Sequence, residues 1–371
     1  MTGLELRSCI TADGVLELSL VEVPIPAPAA DEVVVRVEAT PVNPSDLGVL
    51  LGPADLTTLR AGGTAARPVV LAQVPQAALG QVAARLGASL PVGNEGAGVV
   101  VAAGAEASGM IGQAVAMFGG AMWAQYRVIK ASDCMLLPPG ATPRHGASWY
   151  VNPMTALGMV ETMRQEGHQA LVHTAAASNL GQMLNRICLQ DGIGLVNIVR
   201  SAAQVALLRG QGARHVLDST APDFLPALTA ALAATGATLG FDAVGGGRLA
   251  GQILAGMEAA ARQAATSYHH YGSDRHKQVY LYGRLNTGLT EFERAPLGFA
   301  WGLGGWLLRP ALRKLGAEQR LRQRVAAELT TTFASHYTAE ISLAQVLDPA
   351  MLAAAGKRAT GEKFLILPQR G

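Results

Sequence analysis

The apolar positions change their period near residue 150. Before it they come in short runs that either alternate with polar residues or are almost wholly small and β-branched. Examples are Val33-Val34-Val35-Arg36-Val37-Glu38-Ala39, Gly98-Val99-Val100-Val101-Ala102-Ala103-Gly104, Gln113-Ala114-Val115-Ala116-Met117-Phe118 and Ala124-Gln125-Tyr126-Arg127-Val128-Ile129. Runs of this length bounded by glycine predict strands. Prolines 24, 26, 28, 41 and 44 punctuate the early part, as in a small, irregular β-barrel. Beyond 150 the pattern becomes strand, helix, strand. Ala170-Leu171-Val172-His173 is followed by a helical stretch, Leu180 to Leu189; Leu195-Val196-Asn197-Ile198-Val199 by Ala202 to Arg209; and His215-Val216-Leu217-Asp218 by a helix at about 224–235. Ala237 to Asp242 and Val279 to Tyr282 continue the series. Alternation at this spacing predicts βαβ units and a parallel sheet.

The last 40 or so residues return to short strands, Ala339-Glu340-Ile341 and Lys363-Phe364-Leu365-Ile366-Leu367, with a helix between them around 343–355. The two ends of the chain are therefore expected to share one domain, with the α/β unit inserted between them. Residues 53–90 are Ala-rich with a helix near 76–86. A surface loop and a lid both fit; the surface reading is favoured. No tandem repeat is visible.

Composition narrows the function classes. In 371 residues, half are hydrophobic and 15% charged, with a net charge of +2. That supports large cores and argues against disorder. Near-neutrality argues against binding nucleic acid or an anionic membrane through bulk charge. Cys9, Cys134 and Cys188 are far apart and form neither a disulfide framework nor a four-cysteine zinc lobe. The N-terminal stretch carries acids and alternates like a strand, unlike a signal peptide. The most apolar stretch, 295–312, is broken by Arg309, two prolines and four glycines, so a membrane helix is not expected. A cytoplasmic protein with reduced thiols is the plain expectation.

The candidate chemistry begins at Ala176-Ala177-Ser178-Asn179-Leu180-Gly181. This segment joins a strand to a helix and has the spacing of a GxGxxG turn, with Ala and Ser at the first two glycine positions. Such a turn brings backbone N–H groups at a helix N-terminus to a pyrophosphate, and its last glycine lets helix and sheet pack closely. A plain strand–helix turn would read the same way. The next strand end adds information. An NAD site normally has an acid about 20 residues on, to hold the ribose 2′-hydroxyl. Here Arg200 stands at that point, and a guanidinium can hold a 2′-phosphate through paired hydrogen bonds. NADPH is therefore expected over NADH.

With these residues in view, the chain resembles the medium-chain dehydrogenase/reductase superfamily. It is most similar to its zinc-free quinone oxidoreductase branch and also to mitochondrial-type enoyl thioester reductases. Five segments carry the resemblance in order along nearly the whole chain: Asn43-Pro44-Ser45-Asp46, Gly93-Asn94-Glu95-Gly96-Ala97-Gly98, Val151-Asn152-Pro153-Met154-Thr155-Ala156, Phe241-Asp242-Ala243-Val244-Gly245-Gly246 and Arg358-Ala359-Thr360-Gly361-Glu362-Lys363. The resemblance implies an α/β fold in which a Rossmann doubly wound parallel sheet is inserted into a GroES-like β-barrel domain. The GroES-like catalytic domain would comprise 1–149 and 310–371, and the Rossmann NADPH-binding domain 150–309. It further implies a cofactor held in the cleft between them and a homodimer, commonly joined through the Rossmann sheets.

Carried over position by position, the resemblance puts Asn43 and Thr155 near the nicotinamide. Ser178, Asn179, Leu180 and Gly181 fall in the pyrophosphate turn, and Arg200, Ser201 and Gln204 around the 2′-phosphate. Val244, Tyr282, Gly283 and Arg284 line the cofactor groove, with Lys363 a further contact. The family often has Lys where Gln204 stands, so Arg200 must supply most of the charge. Zinc-dependent relatives carry Cys where Asn43 stands and His where Asn94 stands. A neutral amide is a poor zinc donor, so no metal is expected. His269, His270 and His276 lie in a polar loop and read as solvated.

Without such a Lewis acid, alcohol oxidation is not expected. Hydride transfer to an electrophilic acceptor is, with the protein supplying position and hydrogen bonds to the developing oxyanion. Asn43 is the candidate donor; water or a tyrosine could supply the proton. Related enoyl thioester reductases use a Tyr shortly after the Asn43-Pro44-Ser45-Asp46 segment, where this chain has Leu50-Leu51-Gly52-Pro53-Ala54. Tyr126, Tyr150 and Tyr282 could substitute. The readings are an NADPH:quinone oxidoreductase first, then an alkenal or enoyl thioester reductase, then an NADPH-binding protein without turnover. The partner in the first two is a small-molecule acceptor.

Overall fold

Glu32–Pro41, the Val-rich run of the sequence, is the strand around which the first unit is built. Val33, Val35 and Val37 are fully buried while Arg36 and Glu38 are half-buried, the two-residue alternation of a pleated strand. Along one edge it pairs antiparallel with Glu95–Ala103; along the other it takes Tyr126–Lys130 at its start and Phe364–Ile366 at its end. Ala114–Phe118, Cys134–Leu136 and Ala339–Ile341 complete a seven-stranded sheet. The C-terminal strands thus join the N-terminal ones. A second sheet of five strands runs in the spatial order Asp55–Thr64, Arg67–Gln73, Val15–Pro24, Thr2–Ile10, Leu90–Pro91. A bridge between Glu5 and Ala124, with Leu6 N–H donating to the Trp123 carbonyl, ties it to the first.

The computed structural model describes residues 1–64, 67–356 and 363–370. They fall into two units, Met1–Val151 with Val325–Gly371, and Asn152–Arg324. Most of the Arg358–Lys363 motif lies outside the described residues; of it only Lys363 is described.

Two expectations for the first unit need correction. Residues 53–90 are not a surface loop. Asp55–Thr64 and Arg67–Gln73 extend the five-stranded sheet, with Val70 and Ala72 at 0% and 1% exposure in its core. Val69 and Leu71, apolar as well, hide the two-residue period of Val70 and Ala72. The helix that follows is a 3₁₀ helix, Gln76–Arg85. The single helix expected over 343–355 is two, Leu343–Val346 and Pro349–Gly356. Pro349 supplies no N–H and disfavours helix at Asp348.

The second unit is a six-stranded parallel sheet. Its spatial order is His215–Asp218, Gly194–Val199, Ala170–Thr174, Leu239–Asp242, Lys277–Leu281, Trp301–Gly305. Counted along the chain this is 3-2-1-4-5-6, the doubly wound order of dinucleotide-binding sheets. Every residue of Ala170–Thr174 and Leu239–Asp242 is buried, as central parallel strands require. Helices Asn179–Asp191, Ala202–Gly210, Phe224–Thr235 and Leu249–Gln263 connect the strands. The apolar stretch 295–312 contains the sixth strand, and no helix of the described residues is long and apolar enough to cross a membrane.

This unit closes at Arg324, later than residue 309. Trp306 Nε1 donates to Thr162 Oγ1 at 3.2 Å, and Arg320 and Arg324 hold Glu161 and Asp191, the latter through two bonds of 2.8 Å. Apolar residues of the helical segment after the sixth strand, Leu312 and Leu321, are buried as well, but hydrophobic period alone does not show which unit they join; the ion pairs of Arg320 and Arg324 do.

Candidate functional site

In the order 3-2-1-4-5-6 the connections reverse between strands Ala170–Thr174 and Leu239–Asp242, and ligands of such sheets bind outside the strand ends at that point. The two ends are tied together: Thr174 Oγ1 donates to Asp242 Oδ1 at 2.6 Å and accepts the Ala243 N–H at 2.8 Å. Asp242 also accepts the N–H groups of Val244 and Gly245 at 2.9 and 3.1 Å. That orders the turn carrying Val244. Gly283 lies beneath this turn, where a Cβ would stand 2.3 Å from the Ala243 carbonyl oxygen. Arg284 is exposed beside it.

The other strand end leads into the predicted phosphate turn. Ala175 takes a φ of 49°, a left-handed conformation unusual for a residue with a side chain. Ala176 and Ala177 are buried, while Ser178 and Asn179 are half-buried. Ser178 is the N-cap of helix Asn179–Asp191, its Oγ accepting the Gly181 N–H at 3.1 Å. The cap satisfies one of the first-turn donors that a helix leaves unpaired. Leu180 points inward, at 9% exposure, so its side chain serves the core and only its backbone faces the turn. Gly181 packs directly against the strand end: a Cβ there would lie 2.2 Å from the Ala176 carbonyl oxygen.

At the end of the neighbouring strand Gly194–Val199, Arg200 is exposed. Its backbone N–H donates to Gln204 Oε1 at 3.1 Å, and Ser201, the N-cap of helix Ala202–Gly210, accepts the Gln204 N–H at 3.4 Å. The structure thus brings Arg200, Ser201 and Gln204 together. It also turns the Gln204 carbonyl oxygen back onto the Arg200 backbone, leaving the guanidinium as the charged group of the set.

These residues fit a 2′-phosphorylated dinucleotide. A capped helix mouth, a glycine that no other side chain could replace and an exposed guanidinium form a cradle with the charge such a ligand needs. Thr155 is buried in helix Val151–Gln165. Tyr282 is also turned inward, its Oη 2.7 Å from Nε2 of the fully buried His173. Burial lowers the His173 pKa from 6.5 to about 3, so the ring is neutral.

The first unit holds a second polar cluster, centred on Asn43 and almost wholly out of water. Asn43, Asp46, Glu95 and Lys363 are between 0% and 8% exposed. Asp46 accepts the backbone N–H groups of Asn43 and Asn94 at 2.8 and 2.9 Å. Asn43 Nδ2 donates to Glu95 Oε1 at 2.8 Å, and Lys363 Nζ donates to Asn43 Oδ1 at 3.2 Å. The other Glu95 oxygen accepts the N–H groups of Tyr150 and Val151 at 2.8 and 2.9 Å.

Burial dominates the proton affinities of this cluster. It raises Asp46 to about 7, with Glu95 adding to the rise, against the N–H groups of Asn43 and Asn94 and the charge of Lys363. It raises Glu95 against the pull of Lys363 and its hydrogen bonds. It lowers Lys363 to about 8 against Glu95 and Asp46. Among the described residues no group of three or more His, Cys, Asp or Glu is arranged to hold a metal ion. His269, His270 and His276 are exposed.

Asp46, Glu95 and Asp242 lie in segments that carry the resemblance but are not among the site residues expected from it, and neither His173 nor Thr174 is expected in a site. The signal available is an ionisable residue inside or beside a nearly continuous apolar strand, as at Ala170-Leu171-Val172-His173. Such a residue must find a partner indoors.

Nearly the full length of the chain superposes on solved reductases. A structure from Mesorhizobium loti designated an NADPH:quinone reductase matches 99% of this chain and 98% of its own, with 26% identity and a TM-score of 0.72. The enoyl thioester reductase of Candida tropicalis, in a mutant form, matches 99% and 100% with 19% identity and a TM-score of 0.69, a likeness of fold. In sequence, the mitochondrial enoyl-[acyl-carrier-protein] reductase of Xenopus tropicalis is 30% identical over 210 residues. That match covers 54% of this chain, and the chain spans about half (51%) of that relative's length. No family model matches the chain. The resemblance read from the five segments and the fold it implied both agree with these findings.

Proposed function

We propose that this chain, a medium-chain dehydrogenase/reductase by fold and by the order of its motifs, is an NADPH-dependent oxidoreductase that reduces a quinone without a metal ion. The observation that carries the cofactor is Arg200, an exposed guanidinium at the end of the strand next to a capped helix mouth. The backbone at Ser178, Asn179, Leu180 and Gly181 would hold the pyrophosphate. Arg200, with Ser201 and the Gln204 amide nitrogen, would hold the 2′-phosphate, and Thr155, Val244, Tyr282, Gly283 and Arg284 would line the rest. When bound, NADPH supplies a hydride. Asn43 would donate a hydrogen bond to the oxygen on which negative charge develops in the acceptor, in a site dry enough for that bond to count.

The quinone is favoured over an enoyl thioester by one feature. Where the related thioester reductases use a tyrosine, Leu50 and Leu51 are 1% and 4% exposed and belong to the hydrophobic core, so that segment offers no proton donor. The enoyl thioester reading has its own support in the reductase from Xenopus tropicalis and its name. A homodimer and a cytoplasmic setting belong to the same proposal.

The test is NADPH consumption by the purified chain with a quinone, an enone and an enoyl thioester in parallel. The proposal expects turnover with the quinone and little with the thioester. Preference for the thioester would move the assignment to the second reading. Tight NADPH binding with no turnover on any acceptor would make the chain a nucleotide-binding protein.

A further inference from the structure

The Asn43 side chain is held at both ends by groups of opposite charge. Its amide oxygen accepts from the Lys363 ammonium at 3.2 Å, and its amide nitrogen donates to the Glu95 carboxylate at 2.8 Å. A side-chain amide can normally turn over by half a rotation with little change in shape. Here the reversed orientation would set nitrogen against ammonium and oxygen against carboxylate, two repulsions in a buried site where charges interact strongly. The backbone on either side is fixed as well. Asp46 spans the N–H groups of Asn43 and Asn94. Lys363 is pinned to Thr338, its N–H donating to Thr338 Oγ1 at 3.1 Å and its carbonyl accepting the Thr338 N–H at 2.9 Å.

We propose that Lys363 and Glu95 are positioning residues for the reduction: they clamp the Asn43 amide in one orientation between an ammonium and a carboxylate and so preset it as a donor. The inference rests on the reading of Asn43 given above and deepens it, assigning to Lys363 a different task from the direct cofactor contact expected of it. The chain Lys363–Asn43–Glu95 also polarises the amide. An ammonium donating to the carbonyl oxygen withdraws electron density from the nitrogen, which makes its N–H groups better donors, as successive hydrogen bonds in a dry interior reinforce one another. Proton donation to the acceptor is not part of the task.

The clamp needs Lys363 charged. The groups facing its ammonium are the Glu95 and Asp46 carboxylates, which favour the charge, and the Tyr337 ring, whose centroid is 5.9 Å away. Arg144 lies 5.2 Å from the centroid of that same ring, and the Tyr337 hydroxyl is bonded to Ser148 Oγ at 3.0 Å. Burial outweighs the carboxylates and leaves Lys363 titrating at about 8. Above that pH the carbonyl of Asn43 loses its charged donor, and one of the two repulsions that oppose the reversed orientation goes with it.

The experiment compares the wild type with Lys363→Met, which keeps the length and apolar stem but cannot carry charge, with Glu95→Gln, and with the double variant. Steady-state kinetics with NADPH and a quinone are run across the neutral and alkaline range, NADPH affinity is measured separately by fluorescence, and the side-chain amide of Asn43 is followed by NMR after selective ¹⁵N labelling of asparagine. Expected for Lys363→Met is a fall in kcat of about tenfold or more, the size that loss of a charged hydrogen-bond partner brings, with NADPH affinity changed less than about twofold. The wild-type kcat should fall above about pH 8 and this limb should be absent in the variant. The Asn43 resonance should titrate over the same range in the wild type and not in Lys363→Met. The two single variants should not add, because each releases the same amide.

An unchanged kcat, a loss carried equally by NADPH affinity, or an Asn43 resonance indifferent to pH in the wild type overturns the clamp. A wild type that turns over no acceptor overturns the functional reading instead, and the NMR titration alone then decides whether the clamp exists.

Discussion

A Cβ on Gly181 would stand 2.2 Å from the carbonyl oxygen of Ala176. The helix Asn179–Asp191 therefore leaves the sheet at a distance only glycine permits, and Ser178 caps it there. That closeness sets where the helix mouth stands relative to the strand ends. Because the obstructing atom is backbone, it cannot be moved by a rotamer change. Gly181→Ala is expected to destabilise the chain by about 1–3 kcal/mol, as overpacking does, measured by urea unfolding with an unchanged slope. A loss below about 0.5 kcal/mol, the range of neutral surface changes, would mean that the helix can retreat and that the packing is looser than the structure describes.

Arg200 is the charge on which cofactor choice depends in the proposed function. Arg200→Asp should raise the KM for NADPH by roughly tenfold or more, the effect of losing charge-assisted hydrogen bonds and placing a repulsive carboxylate beside a phosphate. The KM for NADH should change little. Equal effects on both cofactors would remove Arg200 from the 2′-phosphate site.

Glu258 and Lys277 form a buried ion pair away from the candidate site, with side-chain exposures of 1% and 0%. Ser273 donates to both Glu258 oxygens, through its N–H at 2.9 Å and its hydroxyl at 2.8 Å, and Arg262 donates to Oε1 at 2.8 Å. Burial pushes Glu258 up, but these bonds outweigh it and hold the carboxyl at about 2 against an ordinary 4.5. A carboxyl depressed on folding stabilises above its unfolded value, and that stability is lost as pH falls from about 4.5 toward 2. Lys277→Met, which leaves the carboxylate without its ammonium, should cost about 3–5 kcal/mol. Adding Glu258→Gln should recover part of it. Thermal unfolding of the three proteins measures this, and a double variant no better than the single would show that the pair is not coupled.

His173 should make the fold sensitive to mild acid. Its folded pKa of about 3 lies below the ordinary 6.5, so between these values the unfolded chain takes up a proton that the folded chain refuses. Its contribution to stability is therefore lost as pH falls from about 6.5 toward 3. Asp46, raised to about 7 from 3.8, acts in the opposite sense over much of the same range. The measurement is consequently the difference between wild type and His173→Phe in unfolding free energy, followed from neutral to mildly acidic pH. The wild type should lose stability relative to the variant as pH falls. A difference independent of pH would mean that the imidazole is accessible to protons in the native state.

Much of the fold is legible without coordinates. Strands alternating with helices call for the parallel sheet, and the return of short strands after residue 330 calls for one unit shared by both chain ends. What escapes is structure without a clear period. At 53–90 the inward positions Val70 and Ala72 are flanked by Val69 and Leu71, so the run reads as continuously apolar and the alternation of a strand is hard to see. After the sixth strand the chain is held to Glu161 and Asp191 by Arg320 and Arg324. Ion pairs between distant segments leave no trace in the spacing of apolar residues.

Residue identity and spacing establish the chemistry on offer at each position: a degenerate glycine turn, and an arginine where an acid would select NAD. These properties belong to single residues and their intervals along the backbone, so a linear reading reaches them. Which groups share a dry interior is settled only by folding. Asn43 lies 52 positions from Glu95 and 320 from Lys363 along the chain, and Tyr282 meets His173 across 109. Their proton affinities arise from burial and from one another's charge, quantities that exist only once distant segments are packed against each other.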